Sequence, residues 1–113
     1  MSRALNLLGM ARKAGAIETG ETNSGAAVHA GRARLLLLAS DASENAAGRA
    51  EGYVSTRRVP LCRVPFTKDE ISAITGKNGC SMAVLTDLGF AESFARALSA
   101  EFGEEYSSLG TQL

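Results

Sequence analysis

Gly20, Glu21, Thr22 and Asn23 place a carboxylate, a hydroxyl and an amide side by side just after a glycine break, ahead of a segment suited to a helix. The chemistry open to such a group is hydrogen-bond exchange rather than bond making. A helix N-terminus offers free N–H groups and positive potential to a phosphate. Neighbouring amide, hydroxyl and carboxylate groups can pair with the edges of bases. The same residue types also cap helices without any ligand, and that alternative stands beside the first. Lys13, Arg32, Arg34, Lys68 and Lys77 are the other cations that could share a binding face with this turn. Lys77 opens the turn Lys77-Asn78-Gly79-Cys80, where it could touch phosphate or simply be solvated.

Catalytic and metal chemistry find no support. His29 is the single histidine, and no motif sets an acid or nucleophile beside it, so it reads as a helix-surface residue. Cys62 and Cys80 have neither CxxC spacing nor a nearby histidine, which leaves a metal without ligands. They read as buried free thiols in a reducing cytosol. Gly20 and Gly25 do not form a phosphate-cradling glycine motif. No catalytic group, metal or cofactor is therefore expected. Phe90, Phe94, Leu98 and Phe102 recur every fourth position, which suits a core stripe better than a base-stacking platform.

The elements that must position these groups can be read from pattern and punctuation. Ala4, Leu7, Leu8, Ala11 and Ala14 have helical spacing, stopped by Gly15. A short strand over 16–19 and a helix over 21–30 follow, ended by Gly31. Leu35, Leu36, Leu37, Leu38 and Ala39 form an apolar run typical of a strand covered on both faces. Asp41 and Glu44 predict a capping box for a third helix reaching about residue 57, with Arg57 and Arg58 suited to its C-terminal dipole. Gly48 and Gly52 lie on one face of that helix, and close packing against a neighbour is expected to offset their cost. A strand over 61–64, a helix capped by Thr67 and Glu70 and ended by Gly76, a strand over 81–86 and a last helix complete the chain.

Strands and helices alternate, which predicts a three-layer α/β/α sandwich with a small, mainly four-stranded mixed sheet. The expected organisation is one domain over 1–103, with 104–113 as a frayed tail lacking any period. At 113 residues the chain has room for one core. With 45% hydrophobic and 21% charged residues it reads as a folded, soluble protein. Its longest apolar run is too short for a membrane span, and no signal-peptide core follows Met1, so a cytoplasmic location is expected. The net charge of zero is unevenly spread, +5 over residues 1–68 and −5 over 69–113. That asymmetry could steer a polyanion to one face, or reflect no more than an acidic C-terminal part.

Several further stretches are Leu7-Leu8-Gly9-Met10-Ala11-Arg12-Lys13-Ala14-Gly15, Leu37-Leu38-Ala39-Ser40-Asp41-Ala42-Ser43-Glu44-Asn45, Gly76-Lys77 and Thr86-Asp87-Leu88-Gly89-Phe90-Ala91. Together with the segment from Gly20, and in that order and spacing, they resemble the kink-turn-binding ribosomal proteins of the L-seven-Ae family, nearest to its small bacterial YlxQ-type members. The resemblance runs from about residue 4 to 100. It implies a non-catalytic RNA-binding protein whose second-helix N-terminus meets tandem G·A pairs of a kink-turn, and structured RNA, ribosomal RNA included, as partner. The loop after the fourth helix would then cover extruded bases. The family's Asn-Glu pair falls on Thr22 and Asn23, and its lysine on Ala26, so the ammonium is missing and Glu21 stands one position early for the carboxylate. The loop after the fourth helix is also poor in aliphatic residues. These departures leave a second reading open, a protein-interaction module that kept the fold, with Ala26, Ala27 and Ala30 packing on a protein partner or a second copy.

Overall fold

Leu35–Leu38 forms the centre of the molecule because all four of its side chains find apolar neighbours. In the computed structural model, which describes residues 2–113, Leu35 and Leu37 face one cluster and Leu36 and Leu38 the other. This two-sided burial is what a continuous apolar strand requires. In chain order the elements are α1 (Arg3–Lys13), β1 (Ile17–Thr19), α2 (Glu21–His29), β2 (Leu35–Leu38), α3 (Glu44–Ser55), β3 (Leu61–Arg63), α4 (Lys68–Thr75), β4 (Met82–Leu85) and α5 (Leu88–Phe102). A 3-10 turn (Glu104–Tyr106) and α6 (Ser107–Gln112) follow. The sheet order is β1-β4-β2-β3. β4 is antiparallel to both neighbours and β2 is parallel to β3, with Leu36 opposite Val84 on one side and Leu61 on the other. Helices α2 and α3 cover one face; α1, α4, α5 and α6 cover the other. The architecture is the three-layer sandwich with a four-stranded mixed sheet that the alternation implied.

Four helix starts carry a side-chain cap. Ser2, Ser43, Thr67 and Asp87 accept the N–H of Leu5, Ala46, Glu70 and Phe90 respectively. Thr67 and Glu70 complete the reciprocal box expected for α4. For α3 the expectation is corrected. Glu44 is its first residue, so Ser43 is the cap, while the Asp41 carboxylate turns to α4 and accepts the Lys68 N–H at 2.9 Å. Helix α3 also stops at Ser55, before Arg57 and Arg58, leaving no basic residue in its last turn.

Gly48 and Gly52 do not mark a close approach: a Cβ on either would meet nothing within 4 Å. The tight contact is made by Gly25, where a Cβ would sit 2.8 Å from the Tyr53 ring and hold α2 off α3. Gly48→Ala is therefore expected to stabilise the fold by about 0.5–1 kcal/mol, seen as a raised urea midpoint with unchanged slope.

The last ten residues, expected as a tail without regular structure to read, hold the 3-10 turn and α6. Gly103, at φ +110°, reverses the chain, and α6 packs on α5 with Leu109 buried in the main core. One buried leucine anchors the segment, too little to create a readable period. Phe94 and Leu98 are fully buried, and Phe102 lies at the rim, edge-on to Phe66 at 5.5 Å. Cys62 and Cys80 are buried and unpaired, and burial pushes the Cys62 thiol up to about 11, which keeps it inert.

Glu101 of α5 adds an anchor that spacing could not show. Its carboxylate accepts the N–H groups of Ala4 at 2.7 Å and Arg3 at 3.0 Å, at the start of α1. Burial pushes the carboxyl up, but these two donors and the Ser2 hydroxyl outweigh it and hold it below its usual value. A depressed carboxyl adds stability above its unfolded value and loses it as pH falls through the folded one. Glu101→Ala is expected to cost about 1 kcal/mol at neutral pH, as loss of a cap does, and to flatten the acid limb of stability against pH. Urea melts from neutral pH down to acid would read both effects.

Candidate nucleic-acid interface

Because β1, β2 and β3 run in parallel and β4 runs against them, the C-terminal ends of three strands share one edge of the sheet with the start of β4. Helices α2, α3 and α4 therefore all begin along that edge, the usual place for a ligand in an open α/β sheet. Backbone hydrogen bonds tie it together. The Gly20 N–H donates to the Met82 carbonyl at 2.9 Å, Ala39 to Ser81 at 2.8 Å and Ser40 to Phe66 at 2.8 Å. The α4–β4 loop, residues 76–81, is thus held against the entry to α2.

Helix α2 is built differently from its neighbours. Gly20 precedes it at φ +94° and ψ 159°, and no side chain caps its first turn. The N–H groups of Glu21, Thr22 and Asn23 have no intrahelical acceptor, as at any helix start. Capping as the explanation for these three residues is not what the structure shows. Thr22 and Asn23 are exposed. The Asn23 amide donates to the Thr19 carbonyl at 3.0 Å, which orients the side chain across the turn. Ser24 behind them is buried, and its hydroxyl has no partner among the described residues. Ala26 is exposed one turn beyond Thr22, so its position stays on the open surface of α2.

Glu21 is not a free replacement carboxylate. It pairs with Arg49 of α3 at 2.9 Å, with the side chains 32% and 55% exposed, so the contact is solvent-screened and exchangeable. This pair brings a guanidinium beside the α2 entry that the sequence reading missed. Arg49 is remote in the chain, and only the packing of α2 on α3 reveals it.

The other expected cations divide. Lys77 is exposed in the α4–β4 loop, and Lys13 ends α1 beside Arg12. The Arg12 guanidinium lies 3.0 Å from where a Cβ on Gly76 would stand, which places the end of α1 next to that loop. Lys68 is the first residue of α4, exposed on the same edge. Arg32 is paired with Glu18 of β1 at 2.8 Å. Arg34 follows α2 and donates its N–H to Leu85 at the other end of β4, so it is not with Gly20, Glu21, Thr22 and Asn23. The cations at positions 32 and 34 thus separate from those at 13, 68 and 77.

No protein-family model matches the chain. The RNA-binding protein YlxQ of Enterococcus faecium is 34% identical over 90 residues, spanning 80% of this chain and 85% of that protein. The chain belongs to the YlxQ family. Among solved structures, a Bacillus halodurans protein of unknown function superposes on this YlxQ-family fold with a TM-score of 0.79 at 25% identity, covering 88% of this chain and 99% of that one. The Giardia lamblia 15.5 kD RNA-binding protein superposes with a TM-score of 0.67 at 15% identity, covering 96% and 86%, a likeness of fold. That fold is the L-seven-Ae one, as the ordered motifs implied. Among the described residues of this YlxQ-family chain no three His, Cys, Asp or Glu side chains gather as a metal site, and no helix is long and apolar enough to cross a membrane.

Proposed function

We propose that the chain is a non-catalytic, cytoplasmic RNA-binding protein that receives structured RNA, of kink-turn type and ribosomal RNA included, at the entry to α2. One observation carries the reading. Among the described residues, the one long helix that starts without a side-chain cap is the one whose first turn presents exposed Thr22 and Asn23 beside the loop that carries Lys77. In this reading the free N–H groups of Glu21, Thr22 and Asn23 meet a phosphate or base edge. Asn23 supplies the amide contact, and Lys13, Lys68, Lys77, Arg12 and Arg49 neutralise phosphate around it. The likeness to the RNA-binding protein YlxQ of Enterococcus faecium supports the same class of partner.

The alternative, a protein-docking surface on α2, has less to support it. Ala27 is fully buried, which reduces the small-residue face to Ala26 and Ala30 among Asn23 and His29. Two alanines do not make an apolar patch.

Amide chemical-shift mapping with a kink-turn hairpin tests the placement. The reading expects the largest changes at Glu21, Thr22 and Asn23 and in residues 77–79. Changes confined to α5 and α6, or none at saturating RNA, would overturn it.

A further inference from the structure

Three arginines that the α2 entry does not use come together elsewhere. Arg34 follows α2, Arg57 and Arg58 follow α3, and all three line one open cleft of about 390 Å³ together with Val28, Val59 and Pro60. The backbone there is fixed. Arg34 donates its N–H to Leu85, and Arg57 and Arg58 both donate theirs to the Val54 carbonyl. Arg58 is at φ +55°, the one non-glycine residue with positive φ among those described. An L-residue pays in energy for that conformation and a glycine would not, and such outliers gather at functional sites.

Arg32 and Arg49 each find a carboxylate, whereas Arg34, Arg57 and Arg58 have none in ion-pair range among the described residues. Leu113 lines one side of the cleft. Three cationic residues line one recess, so an anion bound there would offset their mutual repulsion. Their planar forks match phosphate oxygens.

We propose that this cleft is a second phosphodiester-binding site, holding the backbone of a stem whose kinked end lies at the α2 entry. It rests on the RNA reading above. Helix α2 has 9 residues. At about 1.5 Å per residue it separates the two sites by roughly 14 Å, or about four base steps of roughly 3.4 Å. Contacts of this kind position RNA and do not read its sequence.

The test uses the full chain, a kink-turn RNA with a long stem, the same RNA with that stem trimmed below the expected reach, and a plain duplex, each over a range of salt. Arg34→Gln and Arg57→Gln remove side chains that make no hydrogen bond among the described residues, and thermal melts confirm folding. Each variant is expected to weaken long-stem and duplex binding by the same factor, about five- to tenfold, and to lower the salt slope by about 1. The trimmed RNA should be indifferent to both changes, and Arg57→Lys should keep the slope. An unchanged affinity and slope for the double variant, with Asn23→Ala still weakening kink-turn binding, would overturn the cleft and leave the α2 reading standing. Failure of the parent chain to bind any of these RNAs at low salt would overturn both.

Discussion

Ala26→Lys is expected to tighten binding to kink-turn RNA by about 1–3 kcal/mol and to steepen its salt dependence by about 1 in slope. Position 26 is exposed on α2, one turn after Thr22 and three residues after Asn23, so a lysine there extends along the same surface as the first-turn groups. Lysine ranks close to alanine as a helix former, and the site has no neighbour to displace, so the change adds a cation without altering the helix. The expected gain is larger for a kink-turn than for a plain duplex, because an ammonium held next to Asn23 reaches base edges as well as phosphate. Titrations of parent and variant against both RNAs check it. Equal affinities of parent and variant for the kink-turn would mean that this face of α2 does not lie against RNA.

Phe94→Ala is expected to cost about 3–5 kcal/mol, from lost burial and the cavity left behind. The ring is fully buried in the larger core cluster, where α5 packs on α1 and the sheet. A small domain has about 5–15 kcal/mol in total, so the variant keeps only part of its stability. The loss should also reach the site. Helix α1 rests on α5 and its last turn sets Arg12 over Gly76, so loosening that contact frees the α4–β4 loop. Urea denaturation measures the stability, and hydrogen exchange in residues 76–81 measures the loop. A cost below about 1 kcal/mol would mean that the core closes over the missing ring.

Local punctuation made much of the fold legible. Four consecutive leucines announced the central strand, and the Thr67–Glu70 box and Gly76 bounded α4 within a residue. The α2 entry was visible because a glycine followed by short polar residues breaks one element and starts another. What failed depends on neighbours distant in the chain. Asp41 and Ser43 can each cap a helix that carries Glu44 in its first turn, and the side-by-side packing of β2 and β3 brings Asp41 to α4 instead. Gly48 and Gly52 had the spacing of a packing face, yet that face of α3 meets no neighbour, and the close approach falls at Gly25 and Tyr53. The cations were recognisable as cations but not as a group. Arg49 joins the α2 entry through Glu21, and Arg34 leaves it for the cleft shared with Arg57 and Arg58. A terminal segment with one buried leucine gave no period to read, and only the surface of α5 shows why it folds.

The most direct test of the α2 reading is a titration of the purified chain into a labelled kink-turn RNA and into a duplex lacking the bulge, each at two salt concentrations, with Asn23→Ala alongside. The expected result is bulge-dependent binding that survives moderate salt and weakens by about 1–3 kcal/mol when Asn23 is truncated, the size of one lost base contact. Equal, weak binding to both RNAs that disappears at moderate salt, indifferent to Asn23, would contradict it, because that is the behaviour of nonspecific charge attraction alone.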